Sequence, residues 1–244
     1  MIPALNLVNV TLEYPDGEST LKALDTVNLR VDPGSFCGLV GPSGSGKSSL
    51  LAVAATLVRP GSGIVSIDGT DTTGLTDTEL TSLRREKIGI VFQQPNLLAS
   101  LTAVEQLIIS HHFSGKPASA ARKHAAELLD VVRLGTSLNK RPHQLSGGQR
   151  QRVNIARALM GQPRVLLVDE PTAALDHERS EEIVQLLRHV TDEFSTATVM
   201  VTHDTEFLPL TDSVASMRDG RLGVELGLGA PSQSPSNSAS WASS

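Results

Sequence analysis

An apolar run, Phe36-Cys37-Gly38-Leu39-Val40, passes directly into Gly41-Pro42-Ser43-Gly44-Ser45-Gly46-Lys47-Ser48. No other stretch of the chain limits its fold as tightly. The spacing G-x-x-x-x-G-K-[ST] is that of a P-loop: a buried strand ends in a glycine-rich turn, and a helix begins at the lysine. Glycine lets the backbone wrap until successive N–H groups face phosphate oxygens that a Cβ would obstruct. The helix N-terminus adds a partial positive charge. Lys47 supplies a cation to the β and γ oxygens, and the Ser48 hydroxyl suits Mg2+. Gly41, Pro42, Ser43, Gly44, Ser45, Gly46, Lys47, Ser48 and Ser49 are therefore the candidate phosphate-binding residues. Four fixed positions match by chance in roughly 1% of chains this long.

The rest of the chain alternates β-branched runs with helical periods, the pattern of an α/β fold. Strands are predicted at residues 5–12, 27–31, 35–40, 64–67, 164–168, 198–202 and 213–218. A helix over 47–57 stops before Arg59-Pro60-Gly61, and Asp68-Gly69 marks a turn. From about 94 to 160 the texture is mainly helical. Segments 102–113 and 146–160 belong there, as does the stripe Ala125, Leu128, Leu129, Val132 at i, i+3, i+4, i+7. Ile183, Leu186, Leu187 and Val190 mark a further amphipathic helix. Residues 227–244 carry no charge and cannot build a core, so one domain over 1–226 with a disordered tail is predicted. Trp241 in that tail receives no role.

Val165-Leu166-Leu167-Val168-Asp169-Glu170 is an apolar strand that ends in two acids. The C-terminal ends of strands are where α/β sheets bind ligands. The two carboxylates divide the work: Asp169 suits Mg2+, and Glu170 suits a water attacking the γ-phosphate.

Leu145-Ser146-Gly147-Gly148-Gln149, followed by Arg150-Gln151-Arg152, resembles the signature sequence of ABC (ATP-binding cassette) proteins. A five-residue match arises by chance in about one chain in a thousand. Ser146, Gly147, Gly148 and Gln149 at a helix start form a second anion site. The resemblance extends over about residues 6–226. It implies a P-loop NTPase core with an N-terminal antiparallel β subdomain and an inserted α-helical signature subdomain. It also implies ATP with Mg2+, and a head-to-tail homodimer in which Ser146 of one subunit meets the γ-phosphate held by the other. Tyr14 resembles the aromatic that stacks on adenine. Gln93 resembles the Q-loop glutamine that touches Mg2+ and water. Asp176, in Ala173-Ala174-Leu175-Asp176, occupies the D-loop, where Ala173 replaces the usual serine. His203 resembles the switch histidine. Glu170, His203, Gln93 and Lys47 are then the catalytic candidates, and Ser48, Gln93 and Asp169 the metal ligands.

The run from Leu83 through Leu98, with Leu101-Thr102-Ala103-Val104-Glu105, is similar to the lipoprotein-release, macrolide-export and haem-efflux ATPases. That likeness implies a separate integral membrane permease gripped near residues 94–105, either export of lipophilic or haem-like cargo or a mechanotransmission complex, and a place at the cytoplasmic face of the membrane. The alternative is a soluble ABC ATPase of an iron–sulfur assembly scaffold. The net charge of −5 disfavours nucleic acid, and no apolar run approaches the roughly 18 residues of a membrane span. No secretory signal is predicted. Cys37, the one cysteine, is expected in a buried strand. The pairs Arg84, Arg85 and Arg150, Arg152 read as helix-surface residues, the second pair also as dimer-stabilising.

Overall fold

The computed structural model describes residues 2–17, 19–112 and 118–226; the predicted tail lies outside them. A long hairpin, β1 (Leu5–Asp16) and β2 (Ser19–Val31), opens the chain. β3 (Phe36–Val40), α1 (Lys47–Ala54), β4 (Ser62–Ile67) and β5 (Thr70–Asp71) follow. Next come α2 (Asp77–Lys87), β6 (Ile88–Val91), α3 (Ala103–His112), α4 (Ala118–Val131) and α5 (Gly147–Leu159). β7 (Val165–Asp169), α6 (His177–Phe194), β8 (Ala197–Val201), β9 (Ser213–Arg218) and β10 (Arg221–Leu226) complete the described chain.

These elements form an antiparallel sheet of order β2-β1-β4-β5 and a mixed sheet of order β10-β9-β3-β8-β7-β6. In the second sheet β9, β3, β8, β7 and β6 run parallel, and β10 is antiparallel at one edge. The α/β class, the antiparallel N-terminal sheet and the helices that follow β6 agree with the fold the sequence implies.

Strand periodicity explains why the core has two halves. Alternate side chains point to opposite faces, so strands covered on both sides read as unbroken apolar runs. Cys37 and Leu39 of β3, Val165 and Leu167 of β7, and Val199 and Val201 of β8 face the antiparallel sheet and α1. Phe36, Leu166, Val168 and Met200 face α3, α4, α5 and α6. The predicted stripe of Ala125, Leu128, Leu129 and Val132 is at most 2% exposed. Truncating a buried leucine such as Leu166 to alanine costs about 2–5 kcal/mol.

Several boundaries differ from the sequence pattern. The outer part of the first hairpin, where Tyr14 pairs with Leu21, carries exposed side chains, so no apolar alternation marks it. α1 ends at Ala54, short of residue 57, because Thr56 turns to a left-handed φ of 54°. α2 buries only Leu80 and so shows no stripe; a Thr76–Glu79 capping box starts it.

Arg85 is exposed, as expected, but the other three arginines depart from the surface reading. Arg84 donates to the Thr56 carbonyl at 2.7 Å. Arg150 donates to the Leu145 carbonyl at 2.6 Å. Arg152 is buried and pairs with Glu182 at 2.7 Å, tying α5 to α6. Burial raises the Cys37 thiol above its ordinary pKa, as its strand position implies. Among the described residues, no helix is long and apolar enough to cross a membrane.

Candidate functional site

Parallel strands bring their C-terminal ends to one edge of a sheet. The order β3-β8-β7-β6 therefore lines up, side by side, the glycine-rich turn, His203, the pair Asp169 and Glu170, and Gln93. Register holds the ends level, since Val201 pairs with Leu39 on one side and with Asp169 on the other.

The turn after β3 is wedged between two backbones. A Cβ on Gly41 would lie 2.2 Å from the Met217 carbonyl oxygen, and one on Gly46 would lie 2.3 Å from that of Ala23. Gly46, at φ 108°, is the N-cap of α1 and offers no side chain to its first-turn N–H groups. Those donors point into the turn, as anion binding requires. The buried Lys47 folds back, its Nζ donating to the Gly41 carbonyl at 2.7 Å and the Pro42 carbonyl at 2.9 Å. Ser48 is exposed at the mouth of the turn.

Glu170 leaves β7 with a left-handed φ of 42°, and its N–H donates to the Val201 carbonyl at 3.1 Å. This kink turns the carboxylate toward His203, whose Nε2 stands 2.6 Å from Oε1. Burial raises the Asp169 carboxyl above its ordinary pKa, and the neighbouring Glu170 charge adds to the rise. Lys47 and His203 oppose it with weaker attraction. Two crowded carboxylates, one half-buried, make an electrostatic niche that a cation would relieve.

Lys47, Ser48, Glu170 and His203, with Tyr14, line a 480 Å³ cleft that neither Asp169 nor Gln93 borders. Tyr14, 40% exposed, stands on the hairpin wall of the cleft. Lys22, Asp219 and Gly220 also border the cleft, and the sequence reading did not single them out. Their one local signal was Asp219-Gly220 after a strand, a hairpin turn with φ values of 48° and 76°.

The second candidate anion site lies elsewhere. Ser146 caps α5, its Oγ accepting from the Gln149 N–H at 3.2 Å while Gln149 Oε1 accepts from the Ser146 N–H at 3.0 Å. The exposed Ser146 hydroxyl keeps its own proton as a donor. None of Ser146, Gly147, Gly148 and Gln149 borders the Lys47 cleft. A Cβ on Gly147 would touch Leu175, so this turn adjoins the segment ending at Asp176, which caps α6 by accepting from the Arg179 N–H at 3.0 Å.

Gln93 is exposed where β6 ends. Its flanks are gripped by α5: Asn154 donates to the Phe92 carbonyl at 2.9 Å, and Arg157 to the Pro95 carbonyl at 2.8 Å. Burial lowers the Arg157 pKa. Of the other histidines, His143, His177 and His189 are exposed, and His124 is half-buried; the side chains of His111 and His112 lie outside the described residues.

Comparison with known proteins matches this architecture. A model of the ABC transporter family covers residues 24–173. The chain is 41% identical over 233 residues to the macrolide export ATP-binding/permease protein MacB 1/2 of Paracoccus denitrificans, covering 96% of this chain but only 35% of that protein. It is 43% identical over 222 residues to the ABC transporter ATP-binding protein MJ0796 of Methanocaldococcus jannaschii, covering 89% of this chain and 94% of that one. A dimeric post-hydrolysis structure of MJ0796 bound to ADP and Pi superimposes with a TM-score of 0.81 at 42% identity, over 91% of this chain and 98% of the other. Relatives described as transporter components do not favour the iron–sulfur scaffold alternative. The chain belongs to the ABC transporter family, as one of its ATPase cassettes.

Proposed function

We propose that this cassette is the motor of a membrane exporter and works as a head-to-tail homodimer closing on two ATP molecules. One observation carries the reading: the Lys47 cleft and the Ser146 turn, each at a helix N-terminus, lie apart on one chain. Two chains in opposite orientation place one of each on every nucleotide, as the dimeric form of MJ0796 encourages.

In this scheme the N–H groups of the glycine-rich turn hold the phosphates, and Tyr14 stacks on adenine. Lys47 exchanges the Gly41 and Pro42 carbonyls for phosphate oxygens. Glu170 accepts a proton from the attacking water and orients it. His203 leaves Glu170 to contact the γ-phosphate. Ser146 and the Gly147 and Gly148 N–H groups of the opposite subunit complete the anion site, with Gln149 and Asp176 holding their two turns in shape. The gain comes from positioning and from charge stabilisation in a closed site.

Mg2+ fits the residues present. A nucleotide-bound Mg2+ takes most ligands from phosphate and water, so one or two protein oxygens suffice. Asp169, Ser48 and Gln93 would hold it between them, directly or through water. Bound there, the ion would neutralise phosphate charge.

The membrane passage is assigned to a separate permease, and the cassette to the cytoplasmic face, with residues 94–105 as the gripped surface. Likeness to MacB supports export of a lipophilic cargo. We infer no nucleic-acid partner. The test is kinetic: specific ATPase activity of the chain should rise with protein concentration and then level off. Activity independent of concentration, in a protein that sediments as a monomer throughout, would remove the two-chain site.

A further inference from the structure

We propose that Asp25 and Arg221, outside every motif above, are positioning residues that orient the phosphate-binding turn. The proposal rests on the reading of that turn as a nucleotide cradle.

A peptide group is planar and trans, so its C=O and N–H point in opposite directions. Fixing the Ser45 carbonyl therefore fixes the Gly46 N–H, one donor of the cradle. The Ser45 carbonyl accepts the Gly220 N–H at 3.0 Å. Gly220 is held in turn, its own carbonyl accepting the Asp25 N–H at 2.8 Å. The Asp25 carboxylate then reaches past Gly220 to the next residue, accepting from Arg221 Nε at 2.9 Å. Asp25 thus clasps the β9–β10 turn through its main chain and its side chain together.

Three backbones meet at this point. The Ala23 carbonyl abuts Gly46, the Met217 carbonyl abuts Gly41, and the Lys22 carbonyl lies 3.0 Å from where a Gly220 Cβ would stand. With no slack on these sides, a shift of the β9–β10 turn passes directly to Ser45. Lys22 also approaches Asp25, at 3.5 Å, and Arg221 depresses the Asp25 pKa most strongly. Arg221 is largely exposed, and an exposed ion pair contributes little to global stability. The pair's effect therefore falls on the geometry of the turn. An unclasped turn samples orientations in which the Gly46 N–H misses the phosphate, so affinity falls while the chemical step, once nucleotide is seated, is retained.

The experiment uses the full chain with Asp25→Ala, Arg221→Ala and Arg221→Lys. Mg-ADP affinity is measured by calorimetry, KM and kcat for ATP by steady-state assay, and Tm by scanning calorimetry without nucleotide. The two alanine variants should weaken ADP binding and raise KM about three- to tenfold. Their kcat should stay within about twofold and their Tm near wild type, with Arg221→Lys recovering most of the affinity. Unchanged ADP affinity in both alanine variants would overturn the proposal. So would losses of kcat and Tm together that the lysine variant fails to relieve, because those mark a merely structural pair. Wild-type protein that bound no ADP would instead remove the cradle itself, and this positioning role with it.

Discussion

His203 and Glu170 are joined at 2.6 Å between Nε2 and Oε1, across the ends of two adjacent parallel strands. The contact exists because Glu170 takes a left-handed turn that a glutamate adopts at a cost of about 1–3 kcal/mol. The strain aims the carboxylate into the cleft, beside the half-exposed imidazole.

If Glu170 is the base, Glu170→Gln keeps the shape and a hydrogen-bonding oxygen but cannot take the proton. Turnover should fall by about 10²- to 10⁴-fold. ATP should stay bound, and the variant should run as a dimer on size exclusion only when ATP is present. Turnover within about threefold of wild type would move the base elsewhere.

Asp169 gives a prediction of opposite sign for stability. Burial and Glu170 raise its pKa in the fold above the unfolded value. A raised group favours the folded state most where it is protonated, and that benefit is lost as pH rises through the folded pKa. At neutral pH the ionised carboxylate is therefore a burden in nucleotide-free protein. Asp169→Asn should raise the nucleotide-free Tm at pH 7 by about 2–4 °C, with a smaller gain near pH 4, while reducing Mg-ATP turnover. A lower Tm at pH 7 would show that the carboxylate is a net structural asset.

Much of this was legible because the relevant signals are local. Val165-Leu166-Leu167-Val168 reads as a doubly covered strand because alternate residues enter different cores. Gly41 and Gly46 announce the turn because neighbouring carbonyls leave no room for a Cβ. What stayed hidden depends on distant packing. α2 is held by its cap and by Arg84 reaching Thr56, neither of which leaves an apolar period. Arg152 reads as solvated until Glu182 and the Val132 carbonyl surround it. Lys22 and Gly220 border the cleft only because two sheets meet there, 198 positions apart in sequence numbering (220 − 22).

Lys47 tests the cradle without disturbing the core. Its ammonium serves two carbonyls of its own turn rather than the core, and Lys47 borders the cleft. Lys47→Ala should leave Tm within about 2 °C of wild type but weaken Mg-ATP binding at least tenfold, read by titration with a fluorescent nucleotide. Wild-type affinity in this variant would remove Lys47 from phosphate recognition.

Ser146 separates the two-chain model from a single-chain one. Ser146→Arg deletes the α5 cap, at about 1 kcal/mol, and fills the proposed dimer contact with a long side chain. Because the Lys47 cleft does not include this turn, monomer affinity for ATP should be unchanged. ATP-dependent dimerisation of the Glu170→Gln background should disappear. Ser146→Asp controls for the lost cap: aspartate caps a helix as well as serine, yet it sets a negative charge against the γ-phosphate. It should keep the wild-type Tm and still block the dimer. A dimer that persists in both variants, by size exclusion and by sedimentation, would mean that no second chain closes on the nucleotide through this turn.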